Sequence, residues 1–267
     1  MADRSGTEGE TGQEQPRGIY VYGIVPSDAE PTSQAEGVGD PPATVETVVH
    51  EDIAALVSEI PLDAGLGGPR DMAAHARLLD ATAAALPVLP LRFGALVGNH
   101  ATVEQDLLAA NHDDFASALR ELEGRTEYIV KGRYTEDAVL REVLDESQRA
   151  LRLRDAIVDK PPDAAREHRI ELGEIVTKSV AAKRERDSAD LIETLRPLEF
   201  DAAVRPPSHE RDAVYVAYLV ANDRLDEFRD TVEAWAGRHE DRIDIRLQGP
   251  LAPYDFVVSA EPKGGSR

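Results

Sequence analysis

The chain contains no cysteine, which removes disulfide staples, thiolate nucleophiles and sulfur-ligated zinc or iron centres at once and fits a reducing cytoplasm. No apolar run approaches the ~18 residues that a membrane helix needs. The opening MADRSGTEGETGQEQPR also lacks the apolar core of a signal peptide. Positive charge is scarce, with 30 Lys and Arg against 51 Asp and Glu, a formal net charge of -21. That balance opposes approach to polyphosphate backbones and anionic headgroups, so neither nucleic acid nor a membrane is expected as a partner.

Catalytic signatures are missing as well. There is no nucleophile elbow, Walker loop or dinucleotide fingerprint, and the glycine-rich GLGGPRD lacks the lysine and the strand-to-helix context of a phosphate cradle. The seven histidines, at 50, 75, 100, 112, 168, 209 and 239, form no HxH or HExxH pair. His100 and His112 fall before and within one helix, poorly placed to share a metal. His50-Glu51-Asp52 could polarise a water or hold a metal, but a hairpin tip needs the same residues for solubility. No catalytic residue, metal ligand or cofactor is assigned.

What remains is a foldable chain of 267 residues, 42% hydrophobic and 30% charged, long enough for two cores. GIYVYGIV (18–25) is β-branched and aromatic, a strand buried on both faces. Residues 43–49 and 53–60 form a hairpin about the HED turn. An alanine-rich helix follows, with Met72, Ala76, Leu79, Ala83 and Leu86 on one face, stopped before Pro87. VLPLRFGALV supplies another strand. A helix over 102–123 turns Val103, Leu107, Phe115, Leu119 and Leu122 inward and ends at Gly124, and TEYIVKGRY returns as a strand.

Residues 135–197 read as two long helices broken at DKPPDAA, with thin apolar stripes (Leu140, Leu144, Leu151; Leu172, Ile175, Val176, Ser179) and charge taken as solvated. Strands at LEFDAAVRPP and DAVYVAYLVA come next. A helix follows with Leu225, Phe228, Val232 and Trp235 at helical spacing and Asn222 as its N-cap. A strand with Ile243, Ile245 and Leu247 alternating leads into the closing GPLAPYDFVV. This order gives an α+β fold of two domains: an N-terminal modified ferredoxin-like αβ sandwich over 18–134, and a C-terminal α+β domain with long helices. The latter comprises a helical connector, 135–197, packed with an αβ domain, 198–260. Residues 1–17 read as a disordered acidic tail and 261–267 as a flexible one.

The proline-marked strands resist a purely structural reading. Pro90 donates nothing to a ladder and places VLPLRFG at a sheet edge or bulge, where a second chain can add a strand. Arg92 points opposite to Leu91 and Phe93, as a partner for a carboxylate or as a charge that guards an edge against aggregation. Tyr254 and Phe256 alternate in the same manner beside Pro250 and Pro253. Pro90, Leu91, Arg92, Phe93, Tyr254 and Phe256 are therefore the candidate protein-interaction residues.

Five blocks in order, YVYGIV, IAALVSEIP, PVLPLRFG, TEYIVKGRY and GPLAPYDFVV, resemble the gas vesicle L/F (GvpL/GvpF) family over Gly18 to Val258. The closing motif of that family runs nearer to Gly-Pro-hydrophobic-Pro-Pro-Tyr-Ser-Phe; here Ala252 and Asp255 depart from it. The resemblance implies a modified ferredoxin-like domain followed by an α+β domain, no enzymatic activity, and an accessory or minor structural role in forming gas vesicles. It implies the small hydrophobic major shell protein as a partner, with other accessory proteins, and a cytoplasmic location at the vesicle. It leaves the oligomeric state open. The alternatives are a ferredoxin-like small-ligand-binding protein, a monooxygenase-type enzyme, or a metabolite-sensing regulatory module.

Overall fold

The computed structural model describes residues 16–30, 36–62, 65–158, 160–161 and 163–257. Both expected tails lie largely outside them. The chain divides into two compact units: the described parts of Met1–Leu79 with Pro90–Ser117, and Asp80–Leu89 with the described part of Ala118–Val258.

The first unit is organised by β1 (Arg17–Pro26), whose interior is buried throughout, as a β-branched and aromatic run predicts. It pairs antiparallel with β3 (Ile53–Pro61), which pairs in turn with the half-exposed β2 (Glu46–His50). On the other side of β1 lie β4 (Leu89–Pro90) and β5 (Leu96–Val97). The expected continuous strand at VLPLRFGALV is thus two short ones. Pro90 removes one ladder donor, and Gly94, at φ 95°, turns the chain between them.

Helix α1 (Pro69–Ala83) buries Ala74, His75, Leu78 and Leu79. Met72 and Ala76, expected on the inner face, are exposed. The second helical stretch is a chain of four pieces: α2 (His100–Thr102), a π segment (Val103–Leu108), a 3-10 turn (Ala109–Asn111) and α3 (His112–Leu122). All five of its expected inward residues are buried.

In the second unit β6 (Arg125–Tyr134) is flanked by β8 (Asp212–Ala221) and β9 (Ile243–Leu251), with β7 (Asp201–Val204) outside β8. Every pairing is antiparallel. The expected grouping of β6 with the amino-terminal strands does not hold: its partners β8 and β9 lie far downstream, from Arg133↔Asp212 to Glu127↔Leu251, a pairing that local pattern does not reveal. Three helices, α4 (Glu136–Glu146), α5 (Gln148–Val158) and α6 (Arg166–Leu195), replace the expected two. Val139, Val143, Ala150 and Leu153 make the buried stripe, while Leu140 and Leu144 are half-buried and Leu151 is exposed.

Helix α7 (Leu225–Arg238) seats Phe228, Val232 and Trp235 in the core, where the Phe228 ring meets Tyr218 at 5.4 Å and Phe200 at 5.8 Å. Asn222 does not cap it. Its side-chain oxygen accepts from Thr126 Oγ1 at 2.8 Å instead.

Candidate interaction site

Residues 91–95 are held against β1 at both ends. Leu91 N–H donates to the Tyr22 carbonyl at 2.9 Å, and Val21 N–H donates to the Ala95 carbonyl at 2.9 Å. Between these anchors the chain bulges, and buried side chains support the bulge from below. Gly94 N–H donates to the Tyr20 hydroxyl at 3.1 Å. Tyr20 Oη lies 2.9 Å from His75 Nδ1, and His75 Nε2 lies 3.1 Å from the Leu91 carbonyl. Because a carbonyl only accepts, Nε2 carries the hydrogen and Nδ1 receives the tyrosine proton. Burial depresses the His75 pKa, the bond to Leu91 offsetting it in part, so the ring is neutral at pH 7. Burial likewise raises the Tyr20 hydroxyl to about 12.

The network extends along β1. A bulge in the β1–β3 register leaves Tyr22 without a register partner in β3. Its hydroxyl donates to Ser58 Oγ and accepts from Val38 N–H, both at 2.9 Å. This polar layer fixes the backbone of the edge segment and points no reactive group outward.

Of the residues marked in the sequence here, Pro90 and Leu91 are buried. Phe93 is half-buried with its ring 5.6 Å from His75 and 5.9 Å from Tyr20, and Arg92 is exposed. The apolar side chains of the motif therefore face inward. The exposed apolar surface beside them comes from residues that pattern reading missed: Leu96 of β5, 43% exposed, and Leu62, which follows β3 and is 52% exposed. Both lie over Gly18, where a Cβ would stand 2.7 Å from Leu62 Cδ2 and 3.3 Å from Leu96 Cδ1. Two leucines 34 positions apart give no periodic signal; the glycine opening β1 was the only trace.

Tyr254 and Phe256 belong to the second unit. They lie in a turn closed by Tyr254 N–H to the Ala252 carbonyl at 2.8 Å and Phe256 N–H to the Pro253 carbonyl at 3.2 Å. Tyr254 is 37% exposed and Phe256 half-buried. Two carboxyl groups anchor the turn, Asp80 accepting from Ala252 N–H at 2.9 Å and Glu127 from Asp255 N–H at 3.1 Å. Gly249 allows the approach: at φ 143°, any side chain would run into the Tyr128 ring.

The charge of 135–197 is not all solvated. Lys183, buried, bonds Glu146 at 2.6 Å and Glu142 at 2.9 Å. Arg242 forks onto Asp187 at 2.8 and 2.9 Å and reaches Glu142 at 2.6 Å, while Asp187 also accepts from the Tyr134 hydroxyl. The i, i+4 run Lys183, Asp187, Leu191, Leu195 was the available signal: a buried stripe that changes from charged to apolar along α6. These groups satisfy one another and serve packing.

Two antiparallel sheets with helices define an α+β protein whose candidate sites lie on a sheet edge and in a turn. The crystal structure of GvpF from Anabaena sp. PCC7120 superposes with a TM-score of 0.72 at 26% identity, covering 90% of this chain and 97% of that one. Gas vesicle protein F of a Streptomyces species is 32% identical over 242 residues, 89% of this chain and 98% of the relative. Gas vesicle protein F of Dolichospermum flosaquae is 26% identical over 241 residues, 90% and 97% of the two chains. The sequence model of "Gas vesicle synthesis protein GvpL/GvpF" matches residues 18–258, and the chain belongs to that family.

Proposed function

We propose that the protein binds the small hydrophobic major shell protein of the gas vesicle in the cytoplasm, keeps it soluble, and delivers it to the growing wall. The docking rim is Arg92, Leu96 and Leu62 at the edge of the first sheet. The observation that carries this reading is the pairing of a rigid backbone edge, fixed from below by His75 and Tyr20, with leucines left exposed beside it. A preorganised edge binds without first spending ordering entropy. The net charge of -21 keeps the complex dispersed while apolar shell-protein surface is covered. Other accessory proteins bind the same complex during assembly.

Co-purification with the major shell protein tests it, at low salt and at ~0.5 M, where exposed charge pairs are largely screened. Apolar and strand-pairing contacts predict retention at both. Arg92→Glu combined with Leu96→Ser touches only exposed side chains and is expected to weaken binding at least about tenfold, or ~1.4 kcal/mol. Undiminished binding by this folded variant rejects the rim. Phe93→Ala is the poorer probe, since its ring packs on His75.

One observation favours a small-ligand reading. The second unit has a cleft of ≈ 500 Å³ lined by Tyr134, Val139, Val176, Val180, Arg184 and His209, among others. A ligand seated there would raise the thermal midpoint of the purified protein. Haem and a quinone, added separately, test this, and an unchanged midpoint and colourless protein reject it.

A further inference from the structure

Strand β9 ends the second sheet: it pairs with β6 on one side, and no described strand lies beyond it. Thr135 N–H donates to the Arg242 carbonyl at 3.0 Å, which fixes the phase of the ladder. From that pair onward, the backbone groups of Asp244 and Arg246 face β6, and those of Ile243, Ile245 and Leu247 face the open side. The Ile243 N–H is taken by the His239 carbonyl at 2.8 Å. Among the described residues no other hydrogen bond reaches the outward groups of these three. The side chains alternate as well. Ile245 and Leu247 pack on the core, while Asp244 and Arg246 stand on the opposite face with side chains 64% and 77% exposed.

We propose that β9 pairs antiparallel with β9 of a second copy of this chain about a two-fold axis through Ile245, joining two sheets into one. The sequence of the edge selects that axis. A two-fold through Asp244 or Arg246 sets that residue against itself, a like-charge pair directly opposite. An axis through Ile243 needs the N–H already given to His239. An axis through Leu247 faces Arg246 with the neutral Gln248 and runs into the break in the β6 register between Gln248 and Leu251. Through Ile245, the N–H and C=O of that residue meet those of the partner's Ile245, and Leu247 N–H meets the carbonyl of the partner's Ile243. Asp244 then stands opposite the partner's Arg246, and the symmetry repeats each contact in reverse.

The outer face of the sheet supports the same axis. Asp212, Arg133 and Asp244 form one row across the strands, with Arg133 Nε 3.4 Å from Asp212 Oδ1, so charge alternates out to the edge. The neighbouring row runs Tyr215, Lys131, Arg246 and finishes on two cations. Arg246 has one exposed contact, 3.6 Å to Asp244 of its own strand, which contributes little in water. In the pair, the partner's Asp244 continues the second row with a negative charge, and the partner's Arg246 continues the first with a positive one. An edge guarded against aggregation presents like charge to its copy; this one presents opposite charges. With -21 on each chain, unmatched contact between copies is repulsive, so association favours such a matched seam. A dimer would carry two of the proposed docking rims, and linked binding raises avidity without new contacts. The pairing itself needs no shell protein.

Sedimentation of the full chain alone over ~1–200 µM tests the pairing. The expected result is a reversible monomer–dimer equilibrium with a Kd on the order of 50 µM, as suits a short seam. Asp244→Arg and Arg246→Asp, each at an exposed side chain, set like charges opposite and are expected to weaken self-association at least about tenfold. Mixed in equal amounts, the two variants complement each other across the seam and are expected to dimerise within about threefold of the parent affinity, which misfolded chains would not do. The double exchange Asp244→Arg with Arg246→Asp is expected to self-associate like the parent. In the parent, amide exchange at Ile245 and Leu247 slows as concentration rises, while Ile243, already bonded to His239, does not respond. A parent that stays monomeric throughout, self-association retained in full by both single variants, or variants that remain apart when mixed overturns the proposal.

Discussion

The hydroxyl of Tyr20 stands 2.9 Å from Nδ1 of His75, joining residues 55 positions apart in a buried hydrogen bond. The same hydroxyl receives Gly94 N–H at 3.1 Å, so one oxygen serves the core and the edge. Tyr20→Phe removes it and strands an imidazole nitrogen and a backbone amide together. Leaving a buried group unpaired costs about 1–3 kcal/mol, so for the two groups together urea denaturation is expected to show a loss of about 2–6 kcal/mol, with faster amide exchange at Gly94. A parent-like midpoint would show that the bond contributes no stability.

His75 also gives the first unit a pH dependence. Its folded pKa lies below the ordinary ~6.5 because burial opposes the charge, so the unfolded chain takes up the proton first. Its contribution is complete above pH ~6.5 and is lost as pH falls through the folded value, at no more than about 1.4 kcal/mol per unit. Tyr20 and Tyr22 of β1 face the ring, and neither ionises in that range. Urea midpoints at pH 7.5, 6.5 and 5.5 for the parent and His75→Gln isolate the effect, because other titrating groups cancel in the difference. Parallel curves would exclude it.

The same histidine shows where the sequence was legible. β1, β3 and β8 announced themselves as apolar runs because they are buried on both faces. Helix α1 was found but rotated: a stripe drawn through apolar residues alone took in Met72 and Ala76, whereas the buried face includes His75. That face is set by partners at positions 20 and 91, which no local spacing encodes. The edge at Pro90 followed from the missing donor. Its exposed apolar neighbours, Leu62 and Leu96, come together only through pairing with β1. Lys183 and Asp187 looked like surface charge because their compensating groups, Glu142, Glu146 and Arg242, belong to other elements.

Asp187→Ala tests that last arrangement. It leaves Arg242 with a single carboxylate and the Tyr134 hydroxyl without its acceptor. Breaking one partner of a buried pair costs about 3–5 kcal/mol, while replacing the charged groups together by apolar ones of similar size is often neutral. Asp187→Leu with Arg242→Met and Tyr134→Phe is therefore expected to recover most of the loss. If the single variant unfolds at the parent midpoint, the cluster is ornamental and Leu191 and Leu195 carry the packing alone.

Glu127 reverses the pH sign found at His75. It is buried in β6, opposite Leu219 and Leu251, with Asp255 N–H at 3.1 Å. Burial pushes its carboxyl up to about 8; the Asp255 amide draws it back, the Asp255 charge adds to the rise, and Arg205 offsets part of it. The folded state therefore keeps a proton that the unfolded chain releases near pH 4.3. The stability this gives is complete below that value and is lost as pH climbs through about 8. Glu127→Gln keeps an uncharged acceptor for the Asp255 amide and removes the ionisation. Between pH 5 and 8.5 the variant is expected to hold its urea midpoint while the parent declines, by at most about 1.4 kcal/mol per unit. Because Asp255 N–H belongs to the turn that presents Tyr254 and Phe256, its protection factor, which removes the intrinsic rise of exchange with pH, is expected to change with pH in the parent alone. Equal decline in both proteins would mean that Glu127 is already ionised at neutral pH and that Arg205 outweighs burial.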